Sequence, residues 1–193
     1  MRRKITTVFL IFGVLLILLS ALWMVGSTLA QDRAAQERGE ILEQMRLLMP
    51  APRKGAPDGR SDVSLPRLSL EGDDFVGILE VPRFETDLPV CATWDADAVV
   101  DFPRCYWGNP YDGSLMIGGS DGRGQFDFMN EITEGDSVFF TDVTGLRFYY
   151  RVSEIRLADG VSFEALSVLD ADLIFFARNT YSLDYTVVCC TLA

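Results

Sequence analysis

The sequence predicts a mainly β domain. It should be a small antiparallel or mixed barrel with short helices, preceded by an N-terminal transmembrane helix and a stalk. Three observations carry this expectation. Residues 1–30 are charged only at Arg2, Arg3 and Lys4, and the stretch from Ile5 to Ala30 is uncharged and rich in Leu, Ile, Val and Phe. From residue 73 onward, short β-branched and aromatic runs recur between turn signals. Helical periodicity there is weak, and closely spaced strands with few helices are the pattern of a small barrel.

The N-terminus is justified by length and charge. Roughly 20 apolar residues span a bilayer as a helix. Basic residues ahead of such a segment stay in the cytoplasm, so 1–4 is a cytoplasmic tail, 5–30 a signal-anchor, and the rest extracytoplasmic at the plasma membrane. The competing reading is a cleaved signal peptide ending at Thr28-Leu29-Ala30, whose apolar region would normally be only about 7–15 residues. Residues 31–72 read as a stalk and linker. Gln31 to Met49 is built of good helix formers. Ile41, Leu42, Met45 and Leu48 form a narrow apolar stripe, suited to lie on the chain's own domain or to pair with another helix. Pro50, Pro52, Gly55, Pro57 and Gly59 then stop the helix.

The body, 73–193, begins with Phe75 to Val81, stopped by Pro82. Leu115-Met-Ile117 ends at Gly118-Gly119. Ser137 to Thr141 and Leu146 to Ile155 form a hairpin turning near Thr144-Gly145. Leu173 to Ala177 and Tyr185 to Cys189 close the chain. Gly124 to Ile132 and Ser162 to Leu169 each have room for a helical turn or two.

Composition excludes several functions. The chain has 193 residues, 28 Asp+Glu against 17 Lys+Arg, and a net charge of −11. An acidic body argues against nucleic acid, which needs a basic face. With the three basic residues of the tail on the cytoplasmic side, the exported part is more acidic still. It should stand off anionic lipid. There is no histidine. Mechanisms that need an imidazole are therefore excluded, Ser-His-Asp and Cys-His hydrolysis among them.

The body resembles the sortases, membrane-anchored cysteine transpeptidases of Gram-positive bacteria, and class B-like members in particular. Gly77-Ile-Leu-Glu-Val-Pro82 resembles the family's first strand, G-x-L-x-I-P, and Leu88-Pro-Val90 the L-P-V after it. Arg104-Cys-Tyr-Trp-Gly-Asn-Pro-Tyr111 is similar to a C-R-Y-x-G-S-P-Y segment. Phe126, Met129, Ile132 and Gly135-Asp136 match F-x-x-L-x-x-L-x-x-G-D. Phe140-Thr-Asp142, Gly145 and Tyr149-Tyr-Arg-Val152 match the hairpin that follows.

The resemblance implies an eight-stranded β-barrel. It also implies a mechanism in which a cysteine attacks a backbone carbonyl in a sorting signal, a histidine moves the proton and an arginine holds the oxyanion. No cofactor or metal is implied. Carried over residue by residue, Ser120 in Leu115-Met-Ile-Gly-Gly-Ser120 falls at the histidine position. Without a gap, Arg178 in Asp172-Leu-Ile-Phe-Phe-Ala-Arg178 falls at the cysteine position and Asp184 at the arginine position. A second register makes Cys190 the nucleophile. It needs an insertion before the cysteine and leaves only Thr191-Leu-Ala193 after it, which would open the barrel edge.

In the ungapped register the chemistry is lost. A hydroxyl offers no base near neutral pH, a guanidinium stays protonated, and a carboxylate repels a developing oxyanion. Losing one oxyanion donor costs about 3 kcal/mol of transition-state stabilisation. The expectation is a membrane-anchored pseudoenzyme of the cell envelope that binds a sorting-signal peptide or a cell-wall or pilus partner without transpeptidation. The alternatives are an active cysteine transpeptidase using Cys190 and a purely structural envelope scaffold. Arg178 is the candidate ligand for a peptide carboxylate or carbonyl, with an ion pair to Asp184 as the competing role.

Four cysteines remain: Cys91, Cys105, Cys189 and Cys190. Disulfides are permitted outside the membrane; buried free thiols are the competing reading. Neighbours in a strand face opposite ways, so Cys189 and Cys190 should differ in surroundings. Asp95, Asp97, Asp101 and Asp112 crowd loops, where Asp is a common turn residue; a calcium site, which wants several oxygens, is the competing reading. Gly118-Gly119 and Gly122-x-Gly124 are read as the rim of a site.

Overall fold

A computed structural model describes residues 13, 15–20, 33–60, 64–179 and 183–193. The chain divides into two compact units, residues 1–34 and 35–193. In the first, residues 13 and 15–20 are helical. The remainder of the expected 5–30 anchor lies outside the described residues. Among the described residues no helix is long and apolar enough to cross a membrane.

The second unit is the barrel. Its strands are β1 (Arg53–Lys54), β2 (Leu68–Leu70), β3 (Asp73–Val81), β4 (Thr86–Cys91), β5 (Arg104–Trp107), β6 (Leu115–Ser120), β7 (Ser137–Asp142), β8 (Leu146–Ala158), β9 (Leu173–Arg178) and β10 (Tyr185–Leu192). They pair in the order β8-β10-β9-β6-β5-β4-β3, and β7 bonds to both β3 and β8. These eight strands therefore close on themselves. β6 and β9 run parallel, in register from Leu115↔Leu173 to Ser120↔Arg178. The β7–β8 hairpin is antiparallel and forms where Thr144-Gly145 placed its turn.

Alternation fills the barrel. Leu115 and Ile117 of β6, Leu173, Phe175 and Ala177 of β9, and Val188 and Cys190 of β10 point inward to one core with Phe126, Phe140 and Phe148. Met116, Ile174, Phe176, Val187 and Cys189 point outward into a second cluster. This cluster is covered by Leu166 of a short helix, α2 (Phe163–Ser167), which Ser162 caps by accepting the Ala165 N–H. The other expected helical turn is a 3₁₀ segment, Asp127–Asn130.

Residues 33–48 form a helix, α1. From Ala35 on it belongs to the barrel unit and buries Ile41 and Met45 against Phe75, Ile78, Cys91 and Phe102. The stripe lies on the chain's own domain, although Leu48 is exposed. The expected linker is also fastened down. Arg53 N–H donates to the Gly145 carbonyl at 2.8 Å, Gly55 N–H to Arg147 at 2.7 Å and Asp58 N–H to Tyr111 at 2.9 Å. Prolines prevent a helix here but not edge pairing, where a missing N–H does no harm.

Candidate functional site

The site is built at one end of the parallel pair β6–β9. Along β6, Met116, Gly118 and Ser120 share the outward face; along β9, Ile174, Phe176 and Arg178 do. Ser120 and Arg178 are register partners at the strand ends. Both line a groove of about 330 Å³ with Val99, Val100, Asp121 and Leu183. Arg178 also faces Tyr185, the first residue of β10, which sets Asp184 next to the site. Asp184 does not line the groove among the described residues.

Hydrogen bonds fix the walls. Ser120 N–H donates to the Gln125 carboxamide oxygen, and Gln125 Nε2 donates to the Val99 carbonyl at 3.1 Å. The Ser120 hydroxyl accepts the Gly122 N–H at 3.1 Å. Gly118 and Gly119 belong to β6 and not to a loop. A β-carbon on Gly118 would overlap the Trp94 and Phe176 rings, so only glycine lets Trp94 lie on the sheet. Trp94 meets Tyr106 edge-on at 4.9 Å, and both belong to the outward cluster.

Arg178 is exposed. Its Nε–H donates to the Leu183 carbonyl at 3.4 Å and does not pair with the Asp184 carboxylate. The Asp184 backbone carbonyl instead accepts the Asn179 N–H at 2.7 Å. Held through Nε among the described residues, the guanidinium has its outer edge for a ligand carboxylate or carbonyl. Ser120 and Arg178 together can bind and orient an oxygen acceptor; neither is a nucleophile at neutral pH.

Cys190, the alternative nucleophile, lies away from the groove. It pairs with Leu173 at the far end of β9 and is fully buried in the barrel core. Burial pushes its thiol up, the opposite of what a nucleophile needs. Burial likewise raises the Cys91 thiol to about 12 and the Cys105 thiol to about 11. All four cysteines are free thiols. Cys189 and Cys190 do lie in different clusters.

The acidic loop residues act locally. Asp95 accepts the Asp97 N–H at 3.0 Å, and Asp112 accepts the Ser114 N–H at 3.1 Å. Among the described residues no three His, Cys, Asp or Glu side chains are grouped to hold a metal.

Sequence reasoning missed Gln125, Trp94 and Arg38 as architects of the site. Only Arg38 had a legible signal, since it precedes Ile41 and Met45 at spacings of a buried helix face.

No family model matches the sequence, and no curated protein matches it. Solved structures do match in three dimensions. Sortase A from Corynebacterium diphtheriae superposes with a TM-score of 0.55 at 14% identity, covering 84% of this chain and 84% of that one. Streptococcus agalactiae sortase C1 gives 0.55 at 16% identity over 83% of this chain and 90% of that one. A Clostridium perfringens sortase D5 transpeptidase gives 0.53 at 16% identity over 62% and 79%. The eight-stranded barrel thus has a sortase-like fold.

Proposed function

We propose that this protein is a membrane-anchored extracytoplasmic member of the sortase family that binds an extended peptide in the Ser120–Arg178 groove without cleaving it. One observation carries the reading. The groove presents a hydroxyl and a guanidinium on paired strand ends, while Cys190 is buried in the core and the chain has no histidine. Such a groove can hold a carbonyl or carboxylate but has no activated nucleophile. The ligand is a sorting-signal peptide or a cell-surface or pilus partner presenting one. The anchor is assigned to residues 5–30 on the hydropathy and the basic tail.

The test uses the full chain in detergent micelles with a pool of sorting-signal peptides and an amine acceptor. Mass spectrometry should find no cleaved peptide, no transpeptidation product and no thioester. Fluorescence anisotropy should find binding that weakens about tenfold in Arg178→Ala, the loss of one good charged hydrogen bond. A thioester on any cysteine would overturn the reading in favour of an enzyme. No peptide binding, with an envelope protein co-purifying, would make the protein a scaffold.

A further inference from the structure

Arg38 is buried, at 5% exposure, although it sits on α1 among Glu37, Gly39 and Glu40. A buried guanidinium must satisfy its five donors. Here four hydrogen bonds run to backbone carbonyls of two separate loops. Nε–H donates to Gly124 at 3.2 Å and Nη2 to Arg123 at 2.9 Å. Nη1 donates to Asp101 at 2.8 Å and to Val100 at 3.4 Å. Burial lowers its pKa, and the nearby carboxylates of Asp101, Asp127 and Glu37 work against that shift.

Both loops contribute to the groove. Val99 and Val100 line it, as do Ser120 and Asp121 at the start of the loop that leads to Arg123 and Gly124, together with Gly119, Arg178, Asn179 and Leu183. Gln125 ties the same loops a second time, through Ser120 N–H and the Val99 carbonyl. Arg38 itself does not line the groove. Without it, four carbonyls lose a charged donor, and Gln125 is left as the side chain bridging the walls. A lysine at this place would keep the charge but lose the planar fork that reaches both loops at once.

We propose that Arg38 is a positioning residue for the groove: by clamping both wall-forming loops, α1 sets the groove's width. The consequence for affinity rests on the peptide-binding reading; the clamp itself does not. α1 is the first element of the barrel unit, so a shift of α1 reaches both groove-lining loops through the hydrogen bonds of this side chain. The groove would then bind best while α1 is seated.

The clamp is read without peptide, in the full chain, by the rate at which a thiol reagent labels Ser120→Cys. Arg38→Ala in that background should raise the rate several-fold, with Arg38→Lys between the two. Met45→Ala is the control. It destabilises the same helix without removing any of the hydrogen bonds to the two loops, and it should change the labelling rate far less than Arg38→Ala. Hydrogen exchange should quicken at 98–101 and 121–126 in Arg38→Ala and stay the same in the β7–β8 hairpin. Equal rates in Arg38→Ala and its parent, or an equal rise in Met45→Ala, would overturn the clamp. Peptide affinity is measured separately, and Arg38→Ala should weaken it about tenfold. If the wild-type protein binds no peptide, the function reading falls while the labelling still decides the clamp. If it binds and Arg38→Ala leaves the affinity unchanged, the link from α1 to the groove is overturned.

Discussion

Tyr111 donates its hydroxyl to Asp142 at 2.6 Å, with Asp142 wholly shielded from solvent. The other carboxylate oxygen accepts the Thr144 N–H at 2.8 Å, the Thr144 hydroxyl at 2.7 Å and the Leu146 N–H at 2.9 Å. One buried carboxylate thus folds the β7–β8 turn and ties it to the loop before β6. Tyr111→Phe removes one charged hydrogen bond and should cost about 2 kcal/mol. Asp142→Ala orphans several buried donors and should cost at least about 3 kcal/mol. Urea denaturation measures both; equal losses would show that the turn does not depend on Asp142.

Asp136 closes the loop before β7. Burial would raise its pKa, but the Thr133 N–H at 2.8 Å and Arg83 at 2.7 Å hold it below the ordinary carboxylate value. A depressed carboxylate contributes stability above its unfolded pKa, near 4. That stability is lost as pH falls through the lower folded value. Asp136→Asn should therefore cost about 1 kcal/mol at pH 7 and flatten the fall in melting temperature below about pH 4. Melting curves from pH 7 to 2.5 check this.

The thiols should be unreactive in the folded protein. Cys105 is half-buried and its thiol lies at about 11, so it should be alkylated first. Its rate should rise about tenfold per pH unit up to that value, following the thiolate. Cys91, Cys189 and Cys190 are buried and should label only on unfolding. Peptide mapping after brief alkylation at pH 8 reads the order; early labelling of Cys190 would contradict its place in the core.

Met45 is fully buried between α1 and the barrel. Met45→Ala should cost about 2–4 kcal/mol by the cavity it leaves. Leu47→Ala, on an exposed side chain, should cost under about 0.5 kcal/mol. A similar loss in both would show that α1 does not pack as described.

The predicted strands at 75–81, 137–155, 173–177 and 185–189 were legible because their β-branched and aromatic residues face a buried core. β4 and β5 had no periodic signal: β4 carries Pro89, and β5 has a register shift beyond Cys105. They were reachable only through the family resemblance of Leu88-Pro-Val90 and of Arg104 to Tyr111. Ser120 and Arg178 were legible by order along the chain, but their pairing was not.

By itself, the sequence determined a charge-free segment at 5–30, a β-rich body, and the absence of any imidazole. These are properties of composition and local period, and folding cannot alter them. Tertiary structure alone decided the rest. It put Ser120 beside Arg178, kept Arg178 off Asp184, buried Cys190 in the core, and strapped 50–60 and α1 onto the barrel. Each depends on which strands become neighbours and which face turns inward. Those choices are made by burial across the whole barrel, through contacts between residues far apart in the chain.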